Sequence, residues 1–200
     1  MLAQFDDDSV VVYQAYRPAI ADYAVNHQRF GGEFSFTRMS WVKPNFLWMM
    51  YRSGWATKEG QERILALWLQ RDFFDELLAS AVASSFDSNR YATRDDWATA
   101  IETSDVRLQW DPDHDPHGKP LARRAVQLGL RGPSLRRFSD EAIVKVEDIT
   151  PFVQQQRDLL EQGVDSLFTP LELVYWPANS NTANSVGLDA PLSYAPTHTT

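Results

Sequence analysis

The sequence predicts an α+β protein with a single core, and three observations predict it. Residues 10–16 (VVVYQAY) and 63–70 (RILALWLQ) are β-branched, aromatic and apolar runs bounded by breakers, the pattern of buried strands. Phe73, Phe74, Leu77, Leu78 and Ala81 instead recur at helical spacing. Strand and helix signals mingle without regular alternation, and no GxGxxG or GxxxxGK[ST] loop occurs, which argues against a doubly wound nucleotide-binding sheet. With 200 residues and 44% apolar content the chain supplies one substantial core and is short for two.

In chain order, the first strand stops before Pro18, which is suited to a helix's first turn, and residues 19–26 continue at helical spacing. Gly31 and Gly32 break the chain. A short strand at 39–42 meets Pro44, which biases Lys43 away from helical geometry, and a helix over 46–52 ends near Gly54. After the strand at 63–70, Asp72 is placed to cap the next helix. Thr93 with Asp96 spells a capping arrangement for a helix through 97–101. Further strands are predicted at 106–110, 125–130 and 142–146, separated by a proline-rich loop and by a turn at Gly132 and Pro133. Thr150 and Pro151 start a helix that stops at Gly163, and 171–176 forms a last strand. Residues 1–176 thus make one domain, and the Pro-, Asn-, Ser- and Thr-rich stretch 177–200 is expected to be an extended tail.

Composition excludes several chemistries. The absence of cysteine removes disulfides, thiolate nucleophiles and thiolate metal sites together. No uncharged apolar run reaches the ~18 residues that a membrane helix needs. The acidic start, MLAQFDDDSV, is unlike a secretory signal, so the cytoplasm is the expected compartment. A net charge of −8 opposes indiscriminate nucleic-acid binding. Residues 119–137 nevertheless carry Lys119, Arg123, Arg124, Arg131, Arg136 and Arg137 with no acid among them, either as one positive face or as cations solvated separately.

The densest chemical signal is residues 38–55, RMSWVKPNFLWMMYRSGW, where tryptophans and methionines surround Lys43 and Arg52. Such a wall is apolar enough to be buried and charged enough to hold an anionic, flat-ringed ligand; the plain alternative is a core helix with the strand that leads into it. Asp111, Asp113, His114, Asp115 and His117 crowd one short stretch, but their spacing matches no metal-binding motif, and a stiff exposed loop is the expectation, with no metal. No GxSxG elbow supports a serine hydrolase.

Polar residues at strand ends form a further constellation. Tyr13, Gln14 and Arg17 sit on or after the first strand, Gln127 lies within VQLGL, and Glu141 opens EAIVKV after a basic turn. A carboxylate beside arginines stays ionised and can stabilise a ribosyl oxocarbenium ion, whereas the plain alternative for Glu141 is a surface acid on an edge strand.

The phrases VYQAYRPAIA, RMSWVKPNFLWMMYRSGWATKEGQERILAL, VRLQWDPD and AVQLGLRGPSLRRFSDEAIVKVEDITP, between residues 10 and 151, resemble the family catalogued as domain of unknown function 4291. That family is in turn similar to the ADP-ribosyltransferase superfamily. The similarity implies a split β-sandwich, two small mostly antiparallel sheets flanked by helices and clasping NAD as substrate. It further implies Glu141 as catalytic glutamate, Gln14 or Arg17 in the first-strand role with Tyr13 adjacent, Ser40 or Tyr51 as the second polar group, and Trp41 or Trp55 stacked on nicotinamide. Lys43, Arg52 and Arg107 would meet the pyrophosphate, with Gln127 lining the site. The acceptor of the ADP-ribose, nucleic acid or protein, would lie near Arg123, Arg124, Arg131, Arg136 and Arg137. A different class is also open: a non-catalytic module for RNA or single-stranded nucleic acid, in which tryptophans stack bases and arginines grip phosphates.

Overall fold

In the computed structural model, residues 1–163 and 167–188 are described. Two sheets and a small ribbon organise them. The first sheet has the order β2-β4-β8, from β2 (Ser9–Tyr16), β4 (Arg63–Gln70) and β8 (Ile143–Asp148), and is antiparallel throughout. The second, β3-β7-β6-β5, comprises β3 (Ser40–Val42), β7 (Pro120–Leu130), β6 (Val106–His114) and β5 (Val82–Ala83); only the two-residue β5 runs parallel to its neighbour. A ribbon of β1 (Leu2–Ala3) and β9 (Leu173–Val174) pairs the first residues with the segment that precedes α7. The fold is therefore a mixed α+β single domain with small, mainly antiparallel sheets, one more than the two expected.

Helices cover the sheets: α1 (Pro18–His27), α2 (Phe46–Ser53), α3 (Arg71–Ser80), α4 (Arg94–Thr103), α5 (Gly132–Arg137), α6 (Thr150–Glu161) and α7 (Ser180–Val186). Their ends follow local chemistry. Asn45 Oδ1 accepts from the Trp48 amide at 2.9 Å and starts α2, and Gly54, with φ of 59°, ends it. Thr93 and Asp96 form a reciprocal capping box on α4. Asp72 does not cap α3; it lies inside the first turn, where its charge suits the helix dipole.

Three other expectations are corrected. Strand β6 continues through Asp111 and Pro112 to His114, with a register shift between Pro112 and His114; β5 pairs only with Arg107 and Leu108, so Pro112 sits on a strand whose outer edge is open, where a proline is tolerated. The expected turn at Gly132 and Pro133 is the start of α5, which passes into a π-helical turn, Phe138–Ala142, so β8 begins at Ile143 and Glu141 precedes it. The expected extended tail begins with α7, whose Thr182, Ala183 and Val186 are buried; residues 189–200 lie outside the described residues.

Two apolar clusters hold the layers. The larger joins Val10, Val12, Leu65, Leu67 and Leu69 to Phe74, Leu108, Val126 and Leu128; the smaller packs Val11, Tyr13, Ile64 and Ala66 against Phe46, Met49, Met50 and Trp55. Alternation along β2 sends Val10 and Val12 to one cluster and Val11 and Tyr13 to the other, so both faces of the first sheet are covered.

Candidate functional site

The two large sheets touch through one backbone bridge. Tyr13 N donates to Lys43 O at 2.7 Å and Lys43 N to Tyr13 O at 3.3 Å, after which β2 and β3 part. The Gln14 side chain fills the fork, its Nε2 donating to Trp41 O at 3.0 Å and Ser40 Oγ at 2.8 Å. The Trp41 carbonyl must accept, which fixes the amide and leaves Gln14 Oε1 buried with no partner. Such an acceptor costs about 1–3 kcal/mol unless a donor reaches it. Tyr16, two residues on and on the same face, shares a hydrogen bond with Ser40 Oγ at 2.8 Å, and burial raises its phenol pKa.

The fork opens into a cleft of about 810 Å³, within the range of small-ligand sites. Lys43 lies in its wall at 6% exposure, with its ammonium 4.9 Å from the Trp48 ring and no carboxylate partner among the described residues. Burial, followed by repulsion from Arg52, lowers its pKa to about 7, with Asp111 opposing the shift. Arg17, Arg38 and Arg52 also line the cleft, Arg17 being paired with Glu33 at 2.5 Å. The far wall carries Gln109 and Gln127, directly opposite each other on β6 and β7. Both send Nε2 to the same carboxylate, Gln109 to Asp111 Oδ1 at 2.8 Å and Gln127 to Oδ2 at 2.7 Å. Neither amide oxygen accepts a bond from the described residues, so two carbonyls backed by a negative charge are free. Trp41 lies on the Gly129 backbone, where an added Cβ would come within 2.9 Å of its ring, and the glycine thereby sets the depth of this wall.

The structure thus brings Gln14, Arg17, Ser40, Trp41, Lys43, Arg52 and Gln127 to one cleft. Five other expected site residues lie elsewhere. Tyr13 points to the opposite face of β2 and reaches Gln4 at 3.2 Å, because neighbours on a strand face opposite ways. Tyr51 is on the outer side of α2, stacked on His114 at 3.6 Å. Trp55 is packed in the smaller core cluster, with Nε1 donating to Pro116 O at 3.1 Å. Arg107 turns back to the carbonyls of Ile101 and Ser104 at the end of α4. Glu141 is exposed in the π-helical turn, 3.6 Å from Arg137, and is not among the residues lining the cleft. The reason is local: the π-turn takes up the residues expected to open β8 and swings Glu141 into solvent.

The basic segment is likewise divided among several tasks. Arg123 pairs with buried Asp113, Arg131 donates to the carbonyls of Ile101, Glu102 and Ser104, and Arg137 bonds Glu76 at 3.0 Å. Arg136 lies 3.8 Å from the Phe36 ring centroid, and Arg124 stacks on Trp110 at 4.7 Å. The Asp/His stretch is structural too: Asp115 Oδ1 accepts from the amides of His117 and Lys119, shaping the β6–β7 hairpin. Among the described residues no group of three or more His, Asp or Glu side chains is arranged to hold a metal ion. No helix there is long and apolar enough to cross a membrane.

Sequence reasoning missed Tyr16, Gln109, Asp111 as a brace for amides, Arg38 and Glu33. Tyr16 was accessible from period-two alternation with Gln14. Gln109 and Asp111 needed the β6–β7 register, which the sequence does not spell. No curated protein matches the chain. The family described as Domain of unknown function (DUF4291) matches residues 1–175, most of the sequence, and the chain belongs to that family.

Proposed function

We propose that the chain transfers ADP-ribose from NAD to a macromolecular acceptor, releasing nicotinamide. The observation that carries this reading is the pairing, at one fork, of an unpartnered buried acceptor, Gln14 Oε1, with a buried cation lacking a counter-ion, Lys43. A dinucleotide offers both complements: hydroxyl and carboxamide donors for Gln14, and a pyrophosphate for Lys43 with Arg52 beside it. The cleft also has the volume and the half-buried aromatic wall, Trp41, that a flat-ringed ligand needs.

In the reaction, the bond between ribose C1′ and the nicotinamide nitrogen breaks, and its electron pair leaves with the neutral nicotinamide. The resulting oxocarbenium ion is captured by a lone pair of the acceptor, which then releases its proton. Asp111 supplies the negative charge that favours this cation. Gln109 and Gln127, anchored to it through their N–H groups, extend that charge to the cleft wall as carbonyl dipoles. Glu141 takes no part, given its exposure and its pairing with Arg137. The second class, a module that only binds nucleic acid, is less well supported because Trp48 and Trp55 are 6% and 9% exposed and present no stacking platform.

The test is nicotinamide release from NAD, followed chromatographically. Gln14→Leu and Asp111→Asn are expected to lower it by roughly 10²-fold, the scale of one lost electrostatic contributor. Glu141→Gln is expected to leave it unchanged. Release that is absent from the unsubstituted protein, or that depends on Glu141, overturns the reading.

A further inference from the structure

A second cleft, of about 680 Å³, opens where β5 ends and the outer edge of β6 is left unpaired. Its walls come from the 84–90 loop, from β6 and β7, and from the end of α7. Two guanidinium groups converge on Gly187: Arg124 Nη2 donates to the Gly187 carbonyl at 3.3 Å, and Arg90 Nη2 is 2.8 Å from where a Cβ on Gly187 would stand. Asp87 engages Arg90 at 3.3 Å, but Arg124 has no carboxylate partner among the described residues, so the cleft retains positive charge. Ser84 and Ser85 add hydroxyls to the lining. The cleft lies on the Trp110 and Arg124 face of the β6–β7 ribbon, opposite the face that carries Gln109 and Gln127 into the fork, and the two cavities share Gln109 at the unpaired edge of β6.

We infer that this edge cleft is the acceptor site, and that it holds a backbone phosphate of a single-stranded nucleic acid whose nucleophilic atom then meets ribose C1′ at Gln109. This rests on the reading of the fork as the NAD site. Guanidinium forks hold the two non-bridging oxygens of a phosphodiester bidentately, and the Ser84 and Ser85 lining adds hydroxyls; a carboxylate offers a similar oxygen pair, so an acidic peptide is the competitor in the test. The net charge of −8 disfavours broad coverage of a polyanion, so recognition falls to this small local patch. Strand edges with unpaired backbone groups also give an extended chain a track to lie along.

The experiment measures binding of a fluorescein-labelled single-stranded oligonucleotide by anisotropy across a salt series, with ADP-ribose binding followed separately by calorimetry. The double variant Arg90→Gln/Arg124→Gln is expected to weaken oligonucleotide binding at least ~10-fold and to flatten the log–log salt slope by about 0.7 for each phosphate contact removed. ADP-ribose affinity should stay unchanged, which also reports that the variant is folded. Arg124→Lys, keeping the charge, should retain the slope and lose part of the affinity. Unchanged oligonucleotide binding in the double variant overturns the inference, as does an acidic peptide that binds equally well and competes. Failure of the unsubstituted protein to bind ADP-ribose, with oligonucleotide binding still dependent on Arg90 and Arg124, overturns the reading of the fork and the acceptor role, leaving this cleft a nucleic-acid contact alone.

Discussion

Replacing Lys43 by methionine tests the central electrostatic feature of the fork. The folded protein holds this amine at a pKa of about 7 against an ordinary 10.5, and at 1.36 kcal/mol per pH unit that difference sets a cost of roughly 5 kcal/mol for carrying the charge unpaired. The unfolded chain binds the proton up to about pH 10.5 and the folded chain only below about 7, so the stability of the unsubstituted protein rises with pH across this window. Below about 7 both states are charged and the full cost is present. The Lys43→Met substitution removes the charge but also the cation–π contact with Trp48, worth on the order of 1–2 kcal/mol when desolvated. The net expectation is a variant about 3–4 kcal/mol more stable than the parent near pH 6, with the gap closing towards about pH 10. Urea denaturation of both proteins across that range reads it directly. A variant that is less stable near pH 6, or a gap that does not change with pH, refutes the reasoning.

Other outcomes follow from the same geometry. ADP-ribose affinity should fall as pH rises through about 7, where Lys43 loses its charge, and a calorimetric titration series showing no such fall counts against Lys43 as the phosphate partner. Gly129→Val should displace Met39 Sδ and the Trp41 ring, which stand 2.7 Å and 2.9 Å from the added Cβ and both line the cleft, and should cost ligand affinity far more than it changes far-ultraviolet circular dichroism. Glu172 accepts from Phe46 N at 2.5 Å and Asn45 Nδ2 at 2.7 Å, and burial first of all raises its pKa to about 7 from 4.5. The folded state therefore binds the proton more tightly, and Glu172 makes stability decline as pH rises from about 4.5 to about 7. Glu172→Gln should flatten that part of the denaturation profile, and an unaltered slope argues against the assignment.

Much of the fold was legible because its signals are local. Continuous β-branched and apolar runs bounded by breakers marked β2 and β4, Pro18 marked the start of α1, and the Thr93–Asp96 box marked α4. Where the reading failed, a longer-range force decided. Pro112 remains within β6 because the pairing with β7 and the open outer edge accommodate it, and no local propensity announces that. The π-helical turn that displaces Glu141 is set by burial of Phe138 and Ala142 in the core, which a short polar segment hardly advertises. The sequence pointed to Gln14 as a polar residue on the first strand and to Lys43 as a cation among aromatics, and the family resemblance to Ser40; the bridge between Tyr13 and Lys43 that brings them together is set by strand pairing, which no local signal spells. Tyr51 and Trp55 shared the same dense segment, yet helical rotation and the turn after Gly54 carried them away from the cleft.

A crystal structure of the protein soaked with NAD tests most directly whether the fork between β2 and β3 is a dinucleotide site. The predicted result is a pyrophosphate against Lys43 and Arg52 and a ligand donor within hydrogen-bond reach of Gln14 Oε1. A ligand bound elsewhere, or one in the fork that leaves Gln14 Oε1 without a donor, contradicts it.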